Sequence, residues 1–144
     1  MSAGRRSSRR QAAFILYQLD LLKLDVEAAL QRGANGGVAG YARHLVIGVE
    51  TERGRIDSLL GPHLTGWSLE RLGVLERAIL RVATYELLAE AEVPVAVVIN
   101  EAVSLAKRFC SGEAAALVNA VLAGIAAEVR APGAEELQGP AGGA

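Results

Sequence analysis

Apolar residues recur three and four apart along most of this chain, and its one strand-like segment has no second strand to pair with. From Ser8 to Leu22 the apolar positions include Ala12, Ala13, Ile15, Leu16, Leu19 and Leu22, a broad helical face. The segment Val93 to Ile99 is rich in valine and has strand propensity, but a lone strand is not stable. Pro94 suits the first turn of a helix, and Val95, Val98, Ala102, Leu105 and Phe109 continue at helical spacing. This segment is therefore read as a helix start. The fold expected is all-α: a compact bundle of about six to seven helices joined by short loops.

The punctuation agrees. Ser7 and Ser8 are N-cap candidates for the first helix, and Asp25 for a short second one through Leu30. Gly33-Ala34-Asn35-Gly36-Gly37 breaks the chain and reads as a mobile loop. A third helix is expected from about Val38 to Leu60, with Gly48 and Gly54 allowing close helix contact, and Gly61-Pro62 ending it. Ser68 follows as an N-cap with Trp67 as a staple residue. Gly73 divides the next segment, which ends near Glu90, and Ser111 caps a last helix from Gly112 to Val129. Residues 8–130 form one domain, 1–7 a flexible basic arm, and 131–144, rich in glycine and proline, a disordered tail.

Packing falls to small side chains. Only Phe14, Tyr17, Tyr41, Trp67, Tyr85 and Phe109 are aromatic, although 51% of the residues are hydrophobic. A chain of this length buries roughly 70% of its unfolded surface, so no metal or disulfide staple is required. Cys110 is the sole cysteine, which excludes an intrachain disulfide and fits a reducing, cytoplasmic compartment. No apolar run is read as approaching a membrane span, and the basic N-terminus leads into no clean apolar stretch of a signal peptide.

Charge is unevenly placed. The formal net charge is −1, but residues 1–10 hold Arg5, Arg6, Arg9 and Arg10 and no acid. This leaves 11 of the 15 basic residues against all 16 acids in the rest of the chain, a balance of −5. Arg5 with Arg9, and Arg6 with Arg10, are like-charge pairs at helical i,i+4 spacing, and cations oppose the dipole at a helix N-terminus. The cluster becomes favourable if phosphates bind it, and arginine suits bidentate phosphate contact. The alternative is a solvated, frayed terminus.

Signatures of catalysis are missing: no phosphate-binding glycine loop, no paired cysteines, no HExxH. No enzyme activity, cofactor or metal is expected. His44 and His63 read as structural histidines, and Cys110 as a small apolar residue. Glu86 and Glu101 lie beside apolar stripes and are expected either to sit at the stripe's edge or to pair with Arg77, Arg81 or Asn119, since a buried carboxylate must be paired or protonated.

Several blocks, in order, resemble the NusB family of bacterial transcription antitermination proteins. They are Arg5-Arg6-Ser7-Ser8-Arg9-Arg10-Gln11-Ala12 with Leu16-Tyr17, then Trp67 to Leu72, Glu76 to Arg81, and Tyr85-Glu86-Leu87. Val93-Pro94, Ile99 to Ala102, Leu105-Ala106-Lys107 and Leu117-Val118-Asn119 complete the series. The resemblance implies two packed helical subdomains. It implies binding to the boxA element of nascent ribosomal RNA together with the ribosomal protein NusE, which helps RNA polymerase read through terminators. By position it implies RNA contacts at Arg5, Arg6 and Arg9, with Arg10 beside them, and at Glu113 and Leu117. Tyr17 and Glu76 fall on the implied protein-partner face. A homodimer is also compatible with the family.

One departure matters. Leu117-Val118-Asn119-Ala120 stands where the family often has Phe-Val-Asn-Gly. A phenylalanine can stack on a base, a contact of about 1–3 kcal/mol, whereas leucine only packs against one. The competing readings are a protein-interaction scaffold that has lost RNA binding, and a stand-alone relative of the helical domain that precedes the catalytic domain of ribosomal RNA cytosine methyltransferases.

Overall fold

The computed structural model describes residues 2–33 and 37–130. Among these are seven α-helices and no strand: α1 Ser2–Leu22, α2 Val26–Arg32, α3 Gly40–Thr51, α4 Arg53–Leu60, α5 Val74–Ala89, α6 Val95–Phe109 and α7 Gly112–Val129. Two 3₁₀ turns, Gly61–His63 and Leu69–Arg71, lie between α4 and α5. The proposed tail, 131–144, and the centre of the glycine-rich loop, 34–36, lie outside the described residues.

Helix α5 is the axis of the molecule. Ten consecutive residues, Ala78 to Leu87, are buried, and a helix buried on all sides belongs at the centre of a bundle. It packs against α1, α3 and α4 on one side and against α6 and α7 on the other. The two helical subdomains expected from the sequence therefore share α5 as their common wall. Asp25 caps α2 by accepting from the Ala28 N–H at 2.8 Å, and Ser111 caps α7 by accepting from Ala114 N–H at 3.0 Å. Both caps are where the sequence puts them. Pro94 stands at the N-cap of α6 with extended φ, ψ, as a helix start at that proline requires.

Several boundaries differ from expectation. Helix α1 begins at Ser2 and so includes the arginines expected in a flexible arm; Ser8 is buried within it and caps nothing. The expected 38–60 helix turns at Glu52 (φ −101°, ψ 17°), giving α3 and α4. The turn is a bend in a nearly continuous helix, because Glu52 still donates to Gly48 and accepts from Ile56. Gly48 does mediate close contact, with a Cβ there meeting the Tyr85 ring, but nothing approaches Gly54 within 4 Å. Ser68 makes no side-chain cap and Trp67 is 54% exposed, so no staple forms there. Instead Gly73 opens α5, and the Glu76 carboxylate accepts from its N–H at 2.7 Å. Helix α7 does have the length and apolar composition of a membrane span, contrary to the sequence reading. Its alanines soften the contrast between its faces, while Val118, Val121, Leu122 and Ile125 are buried against the bundle.

At the far end of α5, Arg130 closes the helix. Its guanidinium donates to the carbonyls of Glu86 (2.9 Å), Leu87 (3.0 Å), Glu90 (2.7 Å) and Val93. A helix C-terminus leaves its last carbonyls unpaired and favours a cation, so one side chain from the end of α7 ties that helix to the end of α5 and to the connection into α6.

Candidate nucleic-acid interface

Four arginines on the first turns of α1 define the candidate surface, and their fates diverge. Residues 5 and 9 share one strip of the helix and 6 and 10 the adjacent one. The first strip turns inward. Arg9 is 4% exposed, and its Nε lies 2.8 and 3.0 Å from the two carboxylate oxygens of Glu86, itself 1% exposed. Tyr41 donates its hydroxyl to the same carboxylate at 2.6 Å. Burial, and then this bond to Glu86, push the Tyr41 hydroxyl well above its ordinary pKa. Arg5 is stacked over the Tyr41 ring, 4.3 Å from its centroid, and lies 3.6 Å from Glu92. Arg5, Tyr41, Glu86 and Arg9 thus form one connected polar column between α1, α3 and α5.

Arg9 is thus an internal anchor, buried against α5. One expectation is corrected. Glu86 pairs with Arg9 rather than with Arg77, Arg81 or Asn119. The like-charge repulsion within the arginine cluster is relieved by acids of the same chain, so it needs no phosphate to become favourable. Glu101, likewise, meets Arg6, whose Nε lies 3.0 Å from one oxygen and 3.1 Å from the other.

The second strip faces out. The Arg6 side chain remains 70% exposed although Glu101 holds its Nε. Arg10 is exposed and, among the described residues, has no carboxylate within 4.0 Å. Both line a cleft between α1 and α6, together with Ser7, Glu101, Ser104, Leu105 and Arg108. Arg108 is a cation that the sequence reading did not single out. The signal was the Lys107-Arg108 pair in the last turn of α6, which a reading of the apolar stripe alone passes over.

Farther along α1 the expected partner-face residues meet. Tyr17 and Glu76 line one shallow cleft with Phe14, Phe109, Cys110 and Ser111. Glu76 also spends one oxygen on the Gly73 N–H. Burial pushes the Cys110 thiol above its ordinary pKa, with the charge of Glu76 adding to it, so this cysteine is a poor nucleophile. Phe109, the last residue of the helically spaced apolar series in α6, is 38% exposed at the rim. Glu113 and Leu117 do not line the cleft that holds Arg6 and Arg10. Glu113 is exposed in the first turn of α7, while Leu117 is half-buried and packs on the core. His44 meets Glu90 at 2.8 Å and His63 meets Glu128 at 2.9 Å, each as a local surface pair.

Known proteins place this arrangement. The NusB family model matches residues 6–127. Transcription antitermination protein NusB of Rubrobacter xylanophilus is 43% identical over 84% of this chain and 88% of its own. The solved structure of T. maritima NusB is 35% identical, covers 86% of this chain and 91% of its own, and superposes with a TM-score of 0.79. NusB in a crystal structure of antitermination factors NusB and NusE in complex with dsRNA is 27% identical over 89% of this chain and 99% of its own, with a TM-score of 0.80. The family model reaches into all seven helices, and Arg6, Arg9 and Arg10 of α1 and the whole buried α5 axis lie within it: this chain belongs to the NusB family.

Proposed function

We propose that the chain is a non-catalytic, cytoplasmic antitermination factor that binds the boxA element of nascent ribosomal RNA together with NusE and promotes read-through by RNA polymerase. One observation carries the reading: Arg6 and Arg10 project from one face of α1 into an exposed cleft, and Arg10 has no carboxylate to neutralise it among the described residues. Phosphate contacts by such cations supply most sequence-independent affinity for nucleic acid. The family membership and the relative crystallised with NusE and RNA support the choice of partners. Tyr17 and Glu76, in their shared cleft, are the residues proposed to meet the protein partner.

A titration of boxA single-stranded RNA into the chain, with and without NusE, tests this. Binding is expected in both cases and is tighter with NusE. Arg6→Ala and Arg10→Ala each weaken it and leave the melting temperature unchanged. Tight binding of NusE with no RNA bound under any condition overturns the RNA role and leaves a protein-interaction scaffold. The leucine at 117, which has no ring to stack on a base, is the observation that favours that second reading.

A further inference from the structure

Between α3 and the C-terminal half of α5 lies an open groove. It shares no residue with the arginine cleft or with the cleft of Tyr17 and Glu76. Ile47 from α3, with Leu88 and Ala89 from α5, gives it an apolar lining. Ile47 is 42% exposed, one of five exposed large apolar side chains among the described residues. Two exposed arginines, Arg43 and Arg55, line the same groove. Arg55 lies 4.0 Å from Glu52, whereas Arg43 has no carboxylate within 4.0 Å among the described residues. His44, also at the groove, is already held by Glu90 at 2.8 Å. An apolar patch beside an unneutralised cation suits a segment that carries acids next to one apolar side chain.

Such a segment follows α7. Arg130 is fixed on the carbonyls of Glu86, Leu87 and Glu90, the residues on either side of Leu88 and Ala89. The chain therefore leaves α7 beside the turn of α5 that lines the groove. Pro132-Gly133 is a turn-forming pair. Glu135-Glu136-Leu137 then sets two acids beside the single large apolar residue of 131–144, a stretch without a base. Five residues span up to about 17 Å, which exceeds the about 8–10 Å between the axes of packed helices. The reach from Arg130 to the groove is therefore met by residue 135.

We propose that residues 131–137 turn back over the C-terminal end of α5, so that Leu137 docks on Ile47 and Leu88 while Glu135 and Glu136 face Arg43 and Arg55. The docked segment ties α7 to α3, which the Arg130 clamp leaves unjoined, and covers an apolar patch that would favour association with other molecules. A short tether gives its segment an effective concentration on the order of millimolar, which favours this occupant over the same segment of a second molecule. No residue of the proposed RNA or protein-partner faces is used, so the docking stands independently of that reading.

Methyl NMR on the full chain, labelled at isoleucine and leucine methyls and recorded at two concentrations, tests this. Nuclear Overhauser contacts are expected from Leu137 to Ile47 and Leu88, with the same intensity ratio at both concentrations. Leu137→Ser is expected to shift the Ile47 and Leu88 resonances while those of the buried Ile79 and Leu122 stay in place. Arg43→Ala, at an exposed position, and a rise to about 0.5 M salt are each expected to reduce the Leu137 contacts, because exposed charges are screened. A mixture of labelled and unlabelled chains identifies the occupant. Contacts that arise only between different molecules place a second copy in the groove and overturn the proposal. Contacts of Leu137 with another surface overturn it as well. Ile47 and Leu88 resonances that are identical in wild type and Leu137→Ser overturn it too, and leave the groove to a separate partner.

Discussion

Arg9 and Glu86 show how much one charged pair can decide. Both are buried, and each is the other's only full counter-charge within hydrogen-bond reach among the described residues. Removing one partner of such a pair leaves an uncompensated buried charge, at a cost of about 3–5 kcal/mol. Arg9→Ala is therefore expected to lower the free energy of unfolding measured in urea by that amount, while Arg10→Ala, at the next residue, about 100° around the helix and facing solvent, leaves it unchanged within about 0.5 kcal/mol. Equal stabilities for the two variants would show that the buried pair does not anchor α1. Asp20 makes a second such point. Burial raises its pKa, but the hydrogen bond and charge of Arg53, and those of Arg81, bring it to a net value below the ordinary carboxylate range. A carboxylate depressed in the folded state adds stability above its unfolded pKa, and that stability is lost as pH falls through the folded value. The stability gap between wild type and Asp20→Asn is thus expected to be full at pH 7 and to close as the pH falls below about 4. A gap that widens in acid contradicts the assignment.

At the scale of the helix, small residues set how closely elements approach. Gly48 faces the Tyr85 ring so tightly that a Cβ would overlap its Cζ, and Tyr85 itself is 8% exposed on the central helix. The ring must shift for any side chain to enter. Gly48→Ala gains helix propensity of about 1 kcal/mol but overpacks a filled contact, a loss of about 1–3 kcal/mol. A net destabilisation is expected by thermal melting, whereas Gly54→Ala, which meets nothing within 4 Å, is expected to stabilise. Those two glycines look alike in the sequence. Most of the elements were legible there, because caps at Asp25 and Ser111 and the proline at 94 are local signals that the structure uses as written. The turn at Glu52 was not, since no glycine or proline marks it and the hydrogen bonds run on through it. The start of α1 was misplaced for a different reason. Local rules count four arginines as unfavourable at a helix start, and the carboxylates that reverse the sign, Glu86, Glu92 and Glu101, lie far away in sequence. The candidate site was legible as a charge cluster, but which arginines face inward depends on the same distant partners.

For the molecule as a whole, the division of the arginines changes what its RNA affinity should do in salt. A cation already held by a buried carboxylate releases no counterion from RNA, so Arg9 does not count. Single-strand binding loses affinity with a slope of about −0.7 per phosphate contact on a log–log scale. Four contacts, the number of arginines in the cluster, give roughly a 50-fold loss between about 50 and 200 mM salt. Arg6 and Arg10 alone give roughly sevenfold, and the addition of Arg108 raises this to about 20-fold. The structure therefore predicts the intermediate value for the chain without NusE, with Arg9→Ala leaving the slope unchanged in whatever fraction remains folded. A loss of roughly 130-fold, five contacts, would mean that the polar column opens and releases both Arg5 and Arg9 to the RNA. That opening would expose Glu86, place a carboxylate beside the phosphates, and unfasten α1 from the central helix. A chain fastened as this one is should bind RNA on its outer strip and keep its inner strip closed.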